Sequence, residues 1–187
     1  MLATASPPPT YKFTKTKPKN FTFPAGADGT LTLYAWAIDA AGNVSEAVAA
    51  TTVLDRQTPE VAIDFPTFDA ELTELKKIAG SATDPGAAPN PGSGLASGRF
   101  AILRKTGTAC KWWNPKQGKL VAGPCAKPLS FALPITKTWS KAIGTLDDAG
   151  AYTLTVEFTD RAGNTGKATR RFTIVASGGS GERGAPA

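Results

Sequence analysis

Residues 150–164 read Gly150-Ala151-Tyr152-Thr153-Leu154-Thr155-Val156-Glu157-Phe158-Thr159-Asp160-Arg161-Ala162-Gly163-Asn164, and this stretch decides the fold. Tyr152, Leu154, Val156 and Phe158 alternate with Thr153, Thr155, Glu157 and Thr159. That period puts one kind of side chain on each face of an extended strand. The connector ends in Gly163-Asn164, where glycine takes φ > 0 without a Cβ clash and the Asp160 carboxylate can accept from the turn's free amides. A second run through Phe172 and Ile174 completes a predicted β-hairpin.

The same device stands earlier, as Gly29-Thr30-Leu31-Thr32-Leu33-Tyr34-Ala35-Trp36-Ala37-Ile38 followed by Asp39-Ala40-Ala41-Gly42-Asn43. Gly150, Asp160, Gly163 and Asn164 each follow Gly29, Asp39, Gly42 and Asn43 by 121 residues (160 − 39 = 121). One Asp-x-Ala-Gly-Asn turn is a weak signal, but two at a fixed spacing, each ten residues after a glycine, indicate an internal repeat. The period is too long for a solenoid unit and suits tandem domains.

Composition narrows the function classes. Helix-forming runs are missing, and the 15 prolines and 19 glycines cluster between the alternating runs, as in an all-β chain. The 187 residues hold no histidine, which removes His-based triads, His metal ligation and imidazole acid–base chemistry. The net charge of +6 is modest. Its densest cluster, Lys12, Lys15, Lys17 and Lys19, alternates with Phe13, Thr14 and Thr16 as on a strand's wet face, with no nucleic-acid motif beside it. No segment has the apolar length of a membrane span. Residues 1–6 are too short and lack the basic start of a signal peptide, so either the chain is a fragment or an export signal lies outside it.

Residues 1–10 read as a disordered lead-in and 177–187 as a flexible Gly/Ser tail. Between them, strands are expected at 11–16, 21–23, in the first hairpin with its return at 44–54, at 60–65, from Leu75 to 82, at 99–105, 131–135 and 138–143, and in the second hairpin. Leu72, Leu75, Ile78 and Ala79 nearly fit a helical period, but Gly80 and the strand neighbours favour a strand. Residues 84–98 are a Pro/Gly loop, and 110–125 an insertion-like loop carrying Trp112-Trp113-Asn114-Pro115. From 59 to 176 about seven strands follow one another at roughly 8–15-residue spacing, which predicts an antiparallel β-sandwich.

In order along the chain come Thr-Pro-Glu-Val-Ala-Ile-Asp-Phe-Pro from Thr58, Leu-Lys-Lys-Ile-Ala-Gly-Ser-Ala-Thr-Asp from Leu75, Ser-Gly-Leu-Ala-Ser from Ser93, Trp-Trp-Asn, Thr-Trp-Ser and the 150–164 stretch. This resembles the bacterial immunoglobulin-like (Big-type) repeats of large secreted and surface proteins. The resemblance covers about 118 residues, with residues 20–54 as the end of a preceding repeat, and implies an all-β, immunoglobulin-like (fibronectin type III-like) antiparallel β-sandwich, complete over 58–176 and partial, a C-terminal half with its last hairpin, over 11–55. It implies a non-catalytic stalk, adhesive segment or enzyme accessory module, extracellular or at the cell surface, with neighbouring repeats as partners.

Several residues are candidates for more than packing. Cys110 and Cys125 are expected to form a disulfide rather than remain free thiols, which agrees with an extracellular family. Trp112 and Trp113, with Lys111, Lys116 and Lys119 nearby, form a candidate glycan or protein contact if at least one indole stays in solvent, the alternative being core packing. Tyr34 and Trp36 form either an aromatic ligand platform or a contact with another strand or domain. Asp55, Asp84, Asp160 and Asn164 offer oxygen ligands for Ca2+ near a domain junction, as some related adhesin repeats do, although no EF-hand spacing supports it. Turn capping accounts for Asp39 and Asp160 without a metal, with Gly42, Asn43 and Gly163 completing the two turns. Asp147-Asp148 and the pair Glu71 and Glu74 lack a nucleophile or glycosidase context, so no enzyme activity is expected.

Overall fold

The computed structural model describes residue 16 and residues 28–86 and 92–176. The expected strands at 11–16 and 21–23, the Lys12–Lys19 cluster, the lead-in and the tail lie essentially outside the described residues. Twelve strands are present in chain order: β1 (Gly29–Ala35), β2 (Val48–Leu54), β3 (Glu60–Phe65), β4 (Ala70–Leu72), β5 (Leu75–Thr83), β6 (Leu95–Thr106), β7 (Ala109–Asn114), β8 (Lys119–Ala122), β9 (Phe131–Ala132), β10 (Thr138–Leu146), β11 (Gly150–Asp160) and β12 (Thr165–Ile174).

Strands β3 to β12 build a two-layer sandwich. One sheet has the order β10-β5-β3, and the other runs β4-β12-β11-β6-β7-β8 with β9 also on β6. All pairings are antiparallel except β4 on β12. A short strand lying parallel on the last strand, with the strand before it in the opposite sheet, is the way an immunoglobulin-like sandwich divides its first strand between layers. The alternation read in β11 is realised: Tyr152, Leu154, Val156 and Phe158 are at most 2 % exposed, each contributing about 1.5–3 kcal/mol by burial. They face Ile78, Trp139 and Ile143 across the core. The Tyr152 hydroxyl donates to the Asp148 carbonyl at 2.7 Å, pinning the corner that feeds β11.

Leu75–Thr83 is a strand, as expected, and Gly80 has a packing reason. A Cβ at that position would run into the Ala62 carbonyl and the Trp139 indole. Strand β6 begins at Leu95, four residues earlier than expected, because Leu95 to Ser97 pair with Asp160 and Thr159 of β11. The larger correction concerns 110–125, which is a β-hairpin, β7–β8, paired from Lys111↔Ala122 to Asn114↔Lys119.

The hairpin β1–β2 forms a separate two-stranded sheet. Its turn duplicates that of β11–β12. Asp39 N donates to the Asn43 carbonyl at 3.0 Å and Asp160 N to that of Asn164 at 3.0 Å. Gly42 and Gly163 take φ of 90° and 96°. The copies then diverge by one residue: between Ala35↔Val48 and Ile38↔Val44, residues 36–37 face residues 45–47, a bulge on the return strand.

Candidate metal centre

The candidate ligand residues converge where the linker between the β1–β2 hairpin and the sandwich meets the sandwich itself. Asp55 follows β2, Asp84 follows β5, and Asp160 ends β11; one carboxylate oxygen from each lies within 4.8 Å of the other two. Three loops held by different strands therefore converge, which sequence spacing cannot display.

Backbone amides aim at the cluster. Asp55 accepts from Gln57 N at 3.0 Å and from Ser93 N at 2.7 Å. Asp84 Oδ2 accepts from Gly94 N at 2.6 Å and, weakly, from the Ser93 hydroxyl at 3.5 Å. Asp160 Oδ1 accepts from Asn164 N at 2.8 Å and Oδ2 from Asn164 Nδ2 at 2.9 Å. The Asn164 amide nitrogen also reaches the Asp55 carbonyl at 3.0 Å, a bond with no counterpart at Asn43 among the described residues. Asn164 thus holds two of the acids in place through its amide nitrogen. The Ser93 N–H, more than any other influence, lowers the Asp55 pKa against the opposing effect of burial. The exposed Asp39 carboxyl is also lowered, first by the Asn43 side chain.

Packing closes the site. A Cβ at Gly92 would sit 2.5 Å from the Asp84 carboxylate, and one at Gly166 would strike the Pro59 carbonyl, so the linker lies flat against the start of β12. Gly92, Ser93 and Gly94 were not candidate ligands in the sequence, where Ser93 and Gly94 counted only toward the family resemblance; the only signal was a Gly-Ser-Gly run eight residues after Asp84.

A cation fits this donor set. Asp55 and Asp160 are 6 % and 2 % exposed. Asp84 Oδ1 is buried and, among the described residues, has no hydrogen-bond partner. A buried acceptor without a donor, beside two more carboxylates, is where a cation supplies what the amides do not. The donors are all oxygen, which suits a hard ion such as Ca2+.

The other candidates are placed as follows. Cys110 and Cys125 are joined, with Cα atoms 5.3 Å apart. Neither Trp112 nor Trp113 stays in solvent, at 6 % and 1 % exposed, against the expectation of an exposed indole. Both lie on β7, so alternation sends them to opposite faces. Trp113 enters the core and donates to the Ile143 carbonyl at 2.9 Å, while Trp112 points outward beneath the disulfide-bearing segment and donates to the Pro124 carbonyl at 3.3 Å. The groove beside Trp112 is lined by Arg99, Glu157 and Lys167, with Glu157 bound to Arg99 at 2.6 Å and to Lys167 at 3.7 Å. Tyr34 and Trp36 keep an aromatic surface: their near-parallel rings have centroids 6.0 Å apart and Tyr34 is 46 % exposed. No helix among the described residues is long and apolar enough to cross a membrane.

The sequence profile of the bacterial Ig-like domain family matches residues 8–56 and 130–176. The chain belongs to that family. The two segments are offset by 122 residues at their starts (130 − 8) and 120 at their ends (176 − 56), bracketing the 121-residue repeat. The matched parts of this bacterial Ig-like chain contain Asp55 and Asp160 but not Asp84 or the β7–β8 hairpin. Among solved structures, CopC from Methylosinus trichosporium OB3b overlaps 64 % of the chain and 98 % of its own at 12 % identity and a TM-score of 0.39. Murine CRIg overlaps 63 % and 96 % at 14 % identity and a TM-score of 0.31. No curated protein matches in sequence. The family is typically non-catalytic.

Proposed function

We propose that the chain is a non-catalytic structural module of an extracellular bacterial protein, one complete immunoglobulin-like unit preceded by part of another, with Ca2+ setting the stiffness of the junction between them. Neighbouring repeats are its partners. The observation that carries this reading is the buried Asp84 Oδ1, without a hydrogen-bond partner among the described residues, in a cluster whose other two carboxylates come from the linker and from β11. Like charges at that separation repel by on the order of 3 kcal/mol per pair at an effective dielectric of about 20. A bound cation turns that repulsion into a cross-link between the linker and the sandwich. The disulfide supports an oxidising, extracellular setting.

Calorimetric titration of the whole chain with CaCl2 tests this. One saturable event is expected, with a rise in melting temperature as free Ca2+ exceeds Kd. Asp84→Asn should abolish the event yet be at least as stable as the parent in chelator, because it removes one of the repelling charges. No binding heat with an unchanged melting temperature, or full binding by Asp84→Asn, would contradict the reading.

A further inference from the structure

The outer face of β1–β2 departs from the repeat in a way that the fold does not explain. Thr30↔Val53, Thr32↔Thr51 and Tyr34↔Ala49 are directly opposite, so these side chains share one face, continued along β1's direction by Trp36. The 121-residue spacing places Tyr34, Trp36 and Ile38 at Thr155, Glu157 and Thr159. In the second copy that face is polar and ion-paired, with Glu157 bound to Arg99 at 2.6 Å and to Lys167 at 3.7 Å. In the first copy it carries two aromatic rings, and Tyr34 (46 %) and Val53 (42 %) are exposed. Completing the first sandwich would cover the other face, that of Leu31, Leu33, Ala35 and Ala37, which corresponds to Tyr152, Leu154, Val156 and Phe158. On the aromatic face Tyr34 and Val53 would remain exposed, with Trp36 half-buried beside them.

We propose that this face binds a neutral glycan. Tyr34 and Trp36 pack on the C–H faces of the sugar, and the Thr32 and Thr51 hydroxyls bond its rim. Two features of the patch select this occupant. Seven residues at about 3.3 Å each, over two strands each about 4.8 Å wide, give a footprint of roughly 220 Å2. A stable protein interface needs about 800 Å2 per partner, so a second copy of the chain finds too little to hold. Charge disfavours the acidic sugars, since residues 28–57 hold Asp28, Asp39, Glu46 and Asp55 against Arg56. Near-parallel rings flanked by hydroxyls offer a sugar both its apolar and its polar contacts, at little entropy cost because aromatic side chains have few torsions.

The test is native electrophoresis of the whole chain through gels containing hydroxyethyl cellulose or glucomannan, with polygalacturonate as the acidic comparison. Retardation by a neutral polymer is expected. It should be lost in the double variant Tyr34→Thr, Trp36→Glu, which installs the residues that the second copy carries on this face, and kept in Trp36→Phe. Three results would overturn the proposal: no retardation by either neutral polymer, retardation by polygalacturonate alone, or retardation unchanged in the double variant. A fourth is a dimer in sedimentation that the double variant abolishes, which would make a second copy the occupant. The platform residues lie outside the carboxylate cluster, so these results leave the Ca2+ reading of the junction untouched.

Discussion

Asp55 is where the linker is fastened, and its ionisation should be visible. Its pKa is depressed in the folded chain, chiefly by the Ser93 N–H. The stabilisation it gives is therefore fully present above the ordinary carboxylate value of about 3.9, and is lost as pH falls through the lower folded value. In chelator, the Ser93 amide resonance should hold its position down to about pH 4 and move only below it. A midpoint above 4 would mean that the neighbouring carboxylates, and not the amide donors, govern Asp55. The cluster was half legible in the sequence. Acid and amide side chains at turns named Asp55, Asp84, Asp160 and Asn164, because oxygen ligands at a junction are a chemical type. Ser93 and the flanking glycines were not legible, since their part is played by backbone N–H groups and by the lack of a Cβ.

At the scale of elements, alternation was a reliable guide where one face is buried and misled where both are. Strand β11 has one buried face, and its pattern gave its exact inward set. Strand β7 buries adjacent indoles on opposite faces, one in the core and one under the disulfide segment, so its sequence shows no alternation and read as a loop. The disulfide ties the start of β7 to the segment beyond β8, outside the packed core formed by the two sheets. Reduction should therefore cost about 2–3 kcal/mol and leave the sandwich folded. Acrylamide quenching should then reach one more tryptophan than in the oxidised protein, and that gain should vanish in Trp112→Phe. Global unfolding on reduction at room temperature would show the bridge to be part of the fold's foundation.

For the whole molecule, the 121-residue arithmetic disclosed two copies of one hairpin, and the structure builds the same turn twice. It could not disclose the one-residue bulge on the return of the first copy, because the motif ends at Asn43 and the extra residue falls beyond it. Nor could it show that Asn164, unlike Asn43, reaches across to the linker. That bond and the three carboxylates make the junction a cation-dependent joint in this account. Amide hydrogen exchange of the intact chain in Ca2+ and in chelator tests this most directly. The account predicts slower exchange in Ca2+ at Gln57, Ser93, Gly94 and Asn164, with the β11–β12 ladder unchanged. Equal exchange at those four amides in both solutions would contradict it.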